Sequence, residues 1–385
     1  MNLAIIGSTG FLGRQALLVI KKLKKDFNIF ALACEKNIKL LAQQAKEYKP
    51  RYLVVYDANQ YKNFKNNFFF SGTRIVGTQD GLLEIASHPE VDGILFLASG
   101  TDSLNALTLA IKKRKKIALA SKELIVAFGQ FVFDLAKKEK VEILPIDSEL
   151  VAFHLLLSKY GSNKIKRFFL TASGGAIFNY QKDLAKITVQ EVLSHPVWKM
   201  GKKITVDSAT LINKIFEIVE VSHFFDTEIK KIDILIHPQG IIHGLIENNN
   251  GIVYGMFSEP DMKIFISYTL LKMIDKDYDF LNKRLKNFPF NLNLFKPNEK
   301  LFPALKLLKH LEKNSSIPAV LVGADEIAVE NFLKGKLKFL EIVKVIEKTL
   351  KAHNKISNPT LSELIQAENW AKRYAQELIM NKKKS

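Results

Sequence analysis

Residues 2–23, NLAIIGSTGFLGRQALLVIKKL, set the expectation for the N-terminal fold. An apolar strand runs through a glycine-rich turn into a helix, and Gly7, Gly10 and Gly13 punctuate the turn at intervals of three. A strand that ends at a helix N-terminus in this way offers backbone N–H groups and the helix dipole to an anion. The spacing favours a dinucleotide site, and a tight turn without a ligand is the alternative.

The next strand, FNIFALAC at residues 27–34, should end beside the adenosine ribose of such a dinucleotide. An acidic residue at this point is typical of NAD sites, whereas basic and amide side chains suit the 2′-phosphate of NADP. Lys36 and Asn37 therefore favour NADP, and Glu35 favours NAD. We expect NADP, with the strength of the preference left open.

Strand and helix patterns alternate from there to residue 147 and predict a doubly wound parallel sheet. The fold class is α/β, with a Rossmann-like N-terminal domain at residues 1–146. RFFLTASGGAIF, KKIDILIHPQGIIHGLIE and GIVYGMFS predict strands of a smaller sheet in a second α/β domain, residues 147–271. An irregular linker at 272–297 and a C-terminal helical bundle at 298–385 complete the predicted division.

Composition indicates a folded protein of 385 residues with 47% hydrophobic and 25% charged residues. The net charge of +18 suggests nucleic acid or a membrane surface as a partner. The lysines are dispersed along the chain, however, which favours a generally basic surface that attracts small anions. A single cysteine, Cys34, excludes a disulfide framework and favours the cytoplasm. We expect no signal peptide, no membrane span and no nucleic-acid partner.

Two carboxylates, Asp147 and Glu149, follow the last strand of the N-terminal domain. In extended backbone they would leave the same face, where mutual repulsion favours a cation between them. Hard ions such as Mg²⁺ and Mn²⁺ prefer these oxygen ligands. A surface pair at a domain junction is the alternative.

Residues 194–221, SHPVWKMGKKITVDSATLINKIFEIVEV, form the second candidate region. The latter half predicts an amphipathic helix whose polar face carries Asn213, Lys214 and Glu217, groups that suit a phosphate, a hydroxyl and a metal. An ordinary solvated face is the alternative. Upstream, HPVWKMG places large apolar side chains in a loop, which favours a lid at residues 194–203.

Taken together, these stretches resemble the 1-deoxy-D-xylulose 5-phosphate reductoisomerase family over nearly the whole chain. Further similar motifs are LASKE at 119–123, TASGG at 171–175, IHPQGIIH at 236–243, EPDM at 259–262 and PAVLVGADEIAVENFL at 318–333. The resemblance implies NADPH-dependent and Mg²⁺- or Mn²⁺-dependent rearrangement and reduction of a small phosphorylated sugar, 1-deoxy-D-xylulose 5-phosphate, in non-mevalonate isoprenoid biosynthesis. It also implies a homodimer.

The resemblance implies a role for each matching residue. The metal ligands would be Asp147, Glu149 and Glu217, and the other catalytic residues Lys122 and His195. The other substrate-binding residues would be Ser148, Ser173, Trp198, Met200, Ser208, Asn213, Lys214, His243 and Met262. The cofactor-binding residues would be Gly7, Ser8, Thr9, Gly10, Phe11, Leu12, Lys36, Asn37, Ser121, Lys122, Glu123 and Gly201.

Three positions depart from the family pattern: Glu35 replaces a common Gly, Ser121 a common Asn and Gly240 a common Ser. Three other classes of protein are alternatives. A semialdehyde dehydrogenase needs a nucleophilic cysteine, and Cys34 lies in the nucleotide domain. A metal-dependent sugar-phosphate isomerase or aldolase would not need the glycine turn, and a nucleic-acid-binding protein would be expected to show steeply salt-dependent binding.

Overall fold

The computed structural model describes residues 1–198, 200–276 and 291–382. Within them the chain forms two compact units. The first contains Met1–Leu124, Val132–Val151 and the segment from Asp261 through the following helix. The second contains Ile125–Phe131, Ala152–Pro260 and residues 291–382.

The first unit is built on a seven-stranded sheet in which every pairing is parallel. Its strands are β1 (Asn2–Ile6), β2 (Asn28–Cys34), β3 (Tyr52–Val55), β4 (Arg74–Gly77), β5 (Gly93–Phe96), β6 (Lys116–Leu119) and β7 (Ile143–Pro145). Their spatial order is β4-β3-β2-β1-β5-β6-β7. The strand order therefore reverses beside β1, and ligands of such sheets bind at that point, outside the carboxyl ends of the strands.

Seven helices connect or follow these strands. They are α1 (Phe11–Lys22), α2 (Ile38–Tyr48), α3 (Ala58–Asn67), α4 (Thr78–Ser87), α5 (Leu104–Lys112), α6 (Lys122–Glu139) and α7 (Ser148–Tyr160). The apolar faces of α1 and α2 pack on the buried strands β1, β2 and β3. The expectation that residues 147–149 are extended is wrong. Asp147 caps α7, because its Oδ1 accepts a 3.3 Å hydrogen bond from the Glu149 N–H group.

The second unit contains a mixed four-stranded sheet, in the order β11-β10-β8-β9. Its strands are β8 (Ile165–Ala172), β9 (Ile232–Ile236), β10 (Ile242–Asn248) and β11 (Val253–Phe257). β8 and β9 are parallel, and the other two pairings are antiparallel. The stretch KKIDILIHPQGIIHGLIE forms two strands instead of one, because Pro238 and the positive φ of Gly240 interrupt it.

Helices complete both units. They are α8 (Val189–Leu193), α9 (Lys202–Thr210), α10 (Ile212–Phe224), α11 (Met262–Met273), α12 (Ile317–Leu333), α13 (Phe339–Ala352) and α14 (Leu361–Lys382). Short 3-10 helices lie at Ser162–Lys164, Leu184–Lys186, Ile229–Lys231 and Pro303–His310. Gly323 lets α12 approach α14 closely, since a Cβ there would lie 2.5 Å from the Glu368 carbonyl oxygen.

The α/β fold class, with a parallel sheet, a smaller sheet and C-terminal helices, is confirmed. The numerical domain boundaries stay a prediction. Helix α11 packs with the core of the first unit, and the C-terminal helices group with the second. Residues 277–290, which make up most of the predicted linker, lie outside the described part of the chain.

Candidate active site

The glycine turn after β1 has the close backbone approaches that a dinucleotide site requires. Gly7 has φ +88°, and a Cβ there would lie 2.5 Å from the Ala98 nitrogen. Gly10 caps α1, and a Cβ at Gly13 would lie 2.3 Å from the Gly7 carbonyl oxygen. Phe11 and Leu12 open the helix, so their N–H groups belong to its unsatisfied first turn. The turn therefore places an anion-binding helix end at the reversal of strand order.

Some of the predicted cofactor residues use their side chains to hold the backbone in place. The Ser8 hydroxyl donates a 2.9 Å hydrogen bond to Gln44 Oε1, and the Gln44 amide donates back to the Ser8 carbonyl. The Ser121 hydroxyl donates to the Ala98 carbonyl at 2.6 Å. The Gly100 N–H group donates to Glu123 Oε2 at 3.2 Å. The first contact fixes the turn after β1 to α2, and the other two join the loop after β5 to the residues that follow β6.

The end of β2 pairs the two residues that favour opposite cofactors. The exposed Lys36 ammonium lies 2.7 Å from Glu35 Oε1, and this hydrogen bond and the Glu35 charge raise the pKa of Lys36. Asn37 Oδ1 accepts from the Leu40 N–H group at 3.2 Å and caps α2. Thr9 hydrogen bonds the Cys34 thiol, whose pKa burial raises to about 12. Cys34 therefore stays a thiol at neutral pH.

The carboxylates of the first unit lie at the start of α7. Lys122 Nζ, at the start of α6, contacts Asp147 Oδ2 at 2.9 Å, and both side chains are largely buried. The Ser148 hydroxyl donates a short hydrogen bond to Glu149 Oε2. Three of the predicted residues thus form one polar group with Ser148 at the carboxyl end of β7.

In the second unit, a backbone break places the predicted phosphate residues at a helix N-terminus. Leu211 is buried with φ 65°, so a left-handed residue separates α9 from α10 where continuous helix was expected. Asn213 and Lys214 consequently fall in the first turn of α10, where N–H groups and the helix dipole favour an anion.

The polar face of α10 is buried rather than solvated. Glu217 is 1% exposed and accepts hydrogen bonds from the Asn213 amide and, at 2.5 Å, from Lys214 Nζ. Asn213 Oδ1 is buried and accepts no hydrogen bond from the described residues. The solvated-face alternative is therefore wrong, since the carboxylate, amide and ammonium form one buried cluster.

His195 connects the predicted lid to two predicted substrate residues. Its Nδ1 accepts from the Val197 N–H group at 3.1 Å and the Trp198 N–H group at 2.8 Å. Two donors on Nδ1 place the proton on Nε2, which lies 3.1 Å from the Ser173 hydroxyl and 3.2 Å from the Ser208 hydroxyl. Burial, aided by the Lys214 charge, lowers the pKa of His195 to about 4, so the ring is neutral at physiological pH.

The glycines Gly174 and Gly175, both with positive φ, turn the chain after Ser173. A Cβ at Gly175 would lie 3.0 Å from the Ala209 Cα atom, so the turn lies against the end of α9 beside Ser208. A larger residue at Gly175 would therefore press on α9 and separate Ser173 from Ser208, which His195 joins.

The lid residues contact β10 and the loop before it. The Trp198 and His243 rings are 6.2 Å apart and meet edge to face, and His243 Nε2 donates to the Ser258 carbonyl at 3.1 Å. A Cβ at Gly240 would lie 2.9 Å from Val197. Met200 is half-buried. Gly201 is the N-cap residue of α9, and a Cβ there would have no neighbour within 4 Å among the described residues. Met262, at the start of α11, packs on the core of the first unit.

Sequence reasoning missed a second buried charge cluster in the second unit. Lys203 Nζ lies 2.7 Å from both Asp207 Oδ2 and Asp325 Oδ2. The i,i+4 spacing of Lys203 and Asp207 is a detectable signal on a helix, but Asp325 is 122 positions away. Gln44, which fixes Ser8, was missed for the same reason.

Three family models cover most of the chain. A model described as 1-deoxy-D-xylulose 5-phosphate reductoisomerase matches residues 3–129, its C-terminal domain matches 143–225, and a DXP reductoisomerase C-terminal domain matches 257–374. A curated reductoisomerase of that name from Endomicrobium trichonymphae is 38% identical over 383 residues, covering 98% of this chain and 99% of the relative.

Solved structures of reductoisomerases are similar to this chain over nearly its whole length. A DOX-P reductoisomerase in complex with NADPH, fosmidomycin and magnesium superposes with a TM-score of 0.89 at 28% identity, covering 100% of this chain and 99% of that one. The Zymomonas mobilis reductoisomerase with NADPH gives 0.86 at 30% identity, covering 98% of each chain.

The parallel sheet and its glycine turn define the class of NADP-dependent oxidoreductases with a Rossmann-like domain. Within it, the chain belongs to the 1-deoxy-D-xylulose 5-phosphate reductoisomerase family. The expected family, enzyme class and cofactors, NADPH and magnesium, are thereby confirmed. The roles assigned to individual residues stay predictions.

Proposed function

We propose that the protein converts 1-deoxy-D-xylulose 5-phosphate into 2-C-methyl-D-erythritol 4-phosphate with NADPH and a divalent cation, in non-mevalonate isoprenoid biosynthesis. The observation that carries the proposal is the pairing of two features. A dinucleotide-type glycine turn ends β1, and buried carboxylate and phosphate-binding groups lie on α10. A 1-deoxy-D-xylulose 5-phosphate reductoisomerase also matches the chain over nearly its full length.

For the cation, we propose Asp147, Glu149 and Glu217 as ligands. All three offer oxygen donors, which hard divalent ions prefer, so the donor set fits Mg²⁺ and also Mn²⁺. When bound, the ion would polarise the substrate's carbonyl and hydroxyl oxygens and stabilise the charge that develops in the rearrangement. Lys122 holds Asp147 in a fixed position at 2.9 Å, and Ser148 does the same for Glu149.

For the substrate phosphate, we propose Ser173, Ser208, Asn213 and Lys214. The helix N-terminus of α10 favours a dianion, and the neutral His195 ring orients the two serine hydroxyls from one nitrogen. Anchoring the phosphate away from the reacting carbons supplies binding energy that orients them.

The lid would close over the bound substrate. The His195 ring ties the Val197 and Trp198 N–H groups to the serine pair, so the lid and the phosphate residues share one hydrogen-bonded group. Excluding water protects an aldehyde intermediate from hydration and strengthens electrostatic interactions. His243 and Met200 would contribute apolar surface to the closed lid.

For NADPH, we propose that the turn from Gly7 to Leu12 binds the pyrophosphate and that Lys36 and Asn37 face the 2′-phosphate. Ser121 and Glu123 are held to the loop after β5 by their contacts with Ala98 and Gly100, and Gly7 of the turn packs against Ala98. Hydride transfer is the chemistry that NADPH supplies.

The test is NADPH oxidation at 340 nm with purified protein and 1-deoxy-D-xylulose 5-phosphate, with Mg²⁺, with Mn²⁺ and with neither. Metal-dependent oxidation would support substrate, cofactor and metal together. A folded protein that binds NADPH yet oxidises none with this substrate would contradict the proposed reaction.

We further propose a homodimer in the cytoplasm. Among the described strands, β11 is an edge strand that pairs with β10 alone. Ile252, just before β11, and Val253 and Phe257, its two end residues, are 51%, 51% and 43% exposed. An exposed apolar edge strand is a template for pairing with a second chain. No helix in the described ranges is long and apolar enough to cross a membrane. Light scattering that gives a monomer for wild type, or a dimer unaffected by Val253→Lys, would contradict this interface.

A further inference from the structure

One carboxylate on α10 holds both of the phosphate donors on the same helix. Glu217 accepts from the Asn213 amide through Oε1 and from Lys214 Nζ through Oε2 at 2.5 Å. All three side chains lie within five positions of α10, and Lys214 and Glu217 are buried. The donors expected to bind the phosphate dianion are therefore engaged by an anion that is itself an expected metal ligand.

In this arrangement the cation and the phosphate would both compete with the contacts that Glu217 makes to Asn213 and Lys214. Glu217 repels a dianion at the start of α10 and competes with it for the Lys214 ammonium, and these effects are strong in a buried site. A divalent cation on Glu217 would neutralise its charge and draw its oxygens away from the two donors. Turning the Asn213 amide would then cost little, since its Oδ1 accepts no hydrogen bond from the described residues.

We propose that Glu217 couples the two binding events, so that the divalent cation and the substrate phosphate each raise the other's affinity. The coupling is reciprocal by thermodynamic necessity. It rests on the proposed function for the identity of the cation and of the phosphate residues. It goes beyond that function because it makes Glu217 a switch that withholds Asn213 and Lys214 until the metal is bound.

The proposal is tested by calorimetric titration of methyl phosphate, a monoester dianion that carries no other part of the substrate. Wild type is titrated in EDTA and in Mg²⁺, at a Mg²⁺ concentration that chelates little of the ligand in solution. We expect Mg²⁺ to lower the Kd for methyl phosphate at least about fivefold, the lower end of typical couplings.

Two isosteric variants separate the role of Glu217 from that of the metal. Glu217→Gln removes the charge that holds the donors, so it should bind methyl phosphate at least about fivefold more tightly than wild type in EDTA and respond little to Mg²⁺. Glu149→Gln, the matched control, leaves the α10 pair intact. It should bind methyl phosphate like wild type in EDTA and lose the Mg²⁺ effect.

The outcomes distinguish this proposal from the proposed function. If wild type reduces 1-deoxy-D-xylulose 5-phosphate with Mg²⁺, but Mg²⁺ leaves the Kd for methyl phosphate within twofold, the coupling is wrong and the function stands. If Glu217→Gln, folded by circular dichroism, binds methyl phosphate more weakly than wild type in EDTA, the coupling is also wrong. Absence of both turnover and any Mg²⁺ effect would overturn both proposals.

Discussion

Lys203 Nζ lies 2.7 Å from Asp325 Oδ2 and so ties helix α9 to helix α12 across 122 positions of sequence. The same ammonium contacts Asp207 at 2.7 Å and lies over the Phe216 ring, 5.2 Å from its centroid. Asp325 is fully buried. Because α9 begins within the predicted lid, residues 194–203, and carries Ser208, this buried cluster fixes the helix that presents a proposed phosphate residue.

The first prediction concerns this cluster. Asp325→Asn removes one of two carboxylates around Lys203, and we expect it to lower the free energy of unfolding by about 2 kcal/mol, less than the roughly 3–5 kcal/mol of a fully broken buried pair. Urea unfolding at constant m-value measures the change. Lys230→Ala, which removes an exposed pair with Glu228, is the control and should leave the midpoint unmoved. Equal midpoints for the two variants would exclude a stabilising role for Asp325.

Local patterns in the sequence predicted the first unit well, because the signals that define its strands, helices and glycine turn are local. The period of apolar residues and the glycine spacing identified the turn after β1, and the alternation of elements identified the parallel sheet. The capping pattern in PIDSEL, residues 145–150, is also local, although the spacing of its two carboxylates favours the extended backbone predicted above. Asp147 followed by Glu149 is a helix N-terminal signature, and the structure uses it as one.

The environment of α10 could not be predicted in the same way. A periodic pattern shows that Asn213, Lys214 and Glu217 share a face, but only tertiary packing decides whether that face meets water. The left-handed Leu211 is also a tertiary effect, because a buried leucine at φ 65° has no local preference for that conformation. Pairs such as Ser8 with Gln44 join residues 36 positions apart and leave no periodic signal.

The second prediction concerns pH and His223, which is buried on α10 against Gly129, where a Cβ would lie 2.4 Å from the His223 ring. Burial, aided by the Lys313 charge, lowers the pKa of His223 to about 3. Histidine in the unfolded state has a pKa of about 6.5, so below pH 6.5 the unfolded state binds more protons than the folded state and stability falls on acidification. At pH 5 the loss from this residue is about 2 kcal/mol.

The measurement is urea unfolding of wild type and His223→Gln from pH 7.5 to pH 5. The comparison uses the pH slope of stability, so a uniform destabilisation of the variant does not affect it. We expect a shallower slope for the variant, and parallel curves would show that His223 is not buried in its neutral form.

The third prediction concerns Gly13. In an open helix, Gly→Ala stabilises by about 1 kcal/mol. At Gly13, however, the new methyl would lie 2.3 Å from the Gly7 carbonyl and 2.5 Å from the Ser8 carbonyl, so the turn must shift. We expect Gly13→Ala to lower stability by about 1–3 kcal/mol and to weaken NADPH binding, measured by fluorescence titration, by about tenfold or more, a difference of roughly 1.4 kcal/mol.

Gly10→Ala is the matched control for stability in the same turn. Its methyl would approach only the Gly7 carbonyl, at 3.3 Å, and its φ of −68° suits alanine. We expect a smaller loss of stability than for Gly13→Ala. The reverse order would contradict the packing role of Gly13.

The fourth prediction concerns cofactor choice. Glu35 lies 2.7 Å from Lys36 and competes with a 2′-phosphate for the ammonium. Because both side chains are substantially exposed, the effect is modest. We expect Glu35→Gln to tighten NADPH binding by about two- to fivefold and to weaken NADH binding, since a carboxylate at this position suits a free ribose hydroxyl. Fluorescence titration with both nucleotides gives the ratio.

Glu47→Gln is the control for that experiment, since Glu47 forms an equally short exposed pair with Lys21 in the same unit. It should leave the NADPH to NADH ratio unchanged. If Glu35→Gln also left the ratio unchanged, Lys36 would not face the 2′-phosphate.

The last prediction concerns the lid. The Trp198 and His243 rings meet edge to face with their centroids 6.2 Å apart, which places the indole against strand β10 of the smaller sheet. Trp198→Ala removes the largest apolar group of the lid, so we expect KM for the substrate to rise about tenfold or more. This rise corresponds to roughly the 1–3 kcal/mol that burial of a large side chain contributes. The Kd for NADPH should stay within twofold. The chain has only two tryptophans, so Trp370→Phe leaves Trp198 as the sole indole. Its fluorescence should change when substrate binds. A lid role would be excluded if the fluorescence of Trp370→Phe did not change when substrate was added, or if Trp198→Ala weakened the binding of NADPH instead of the binding of substrate.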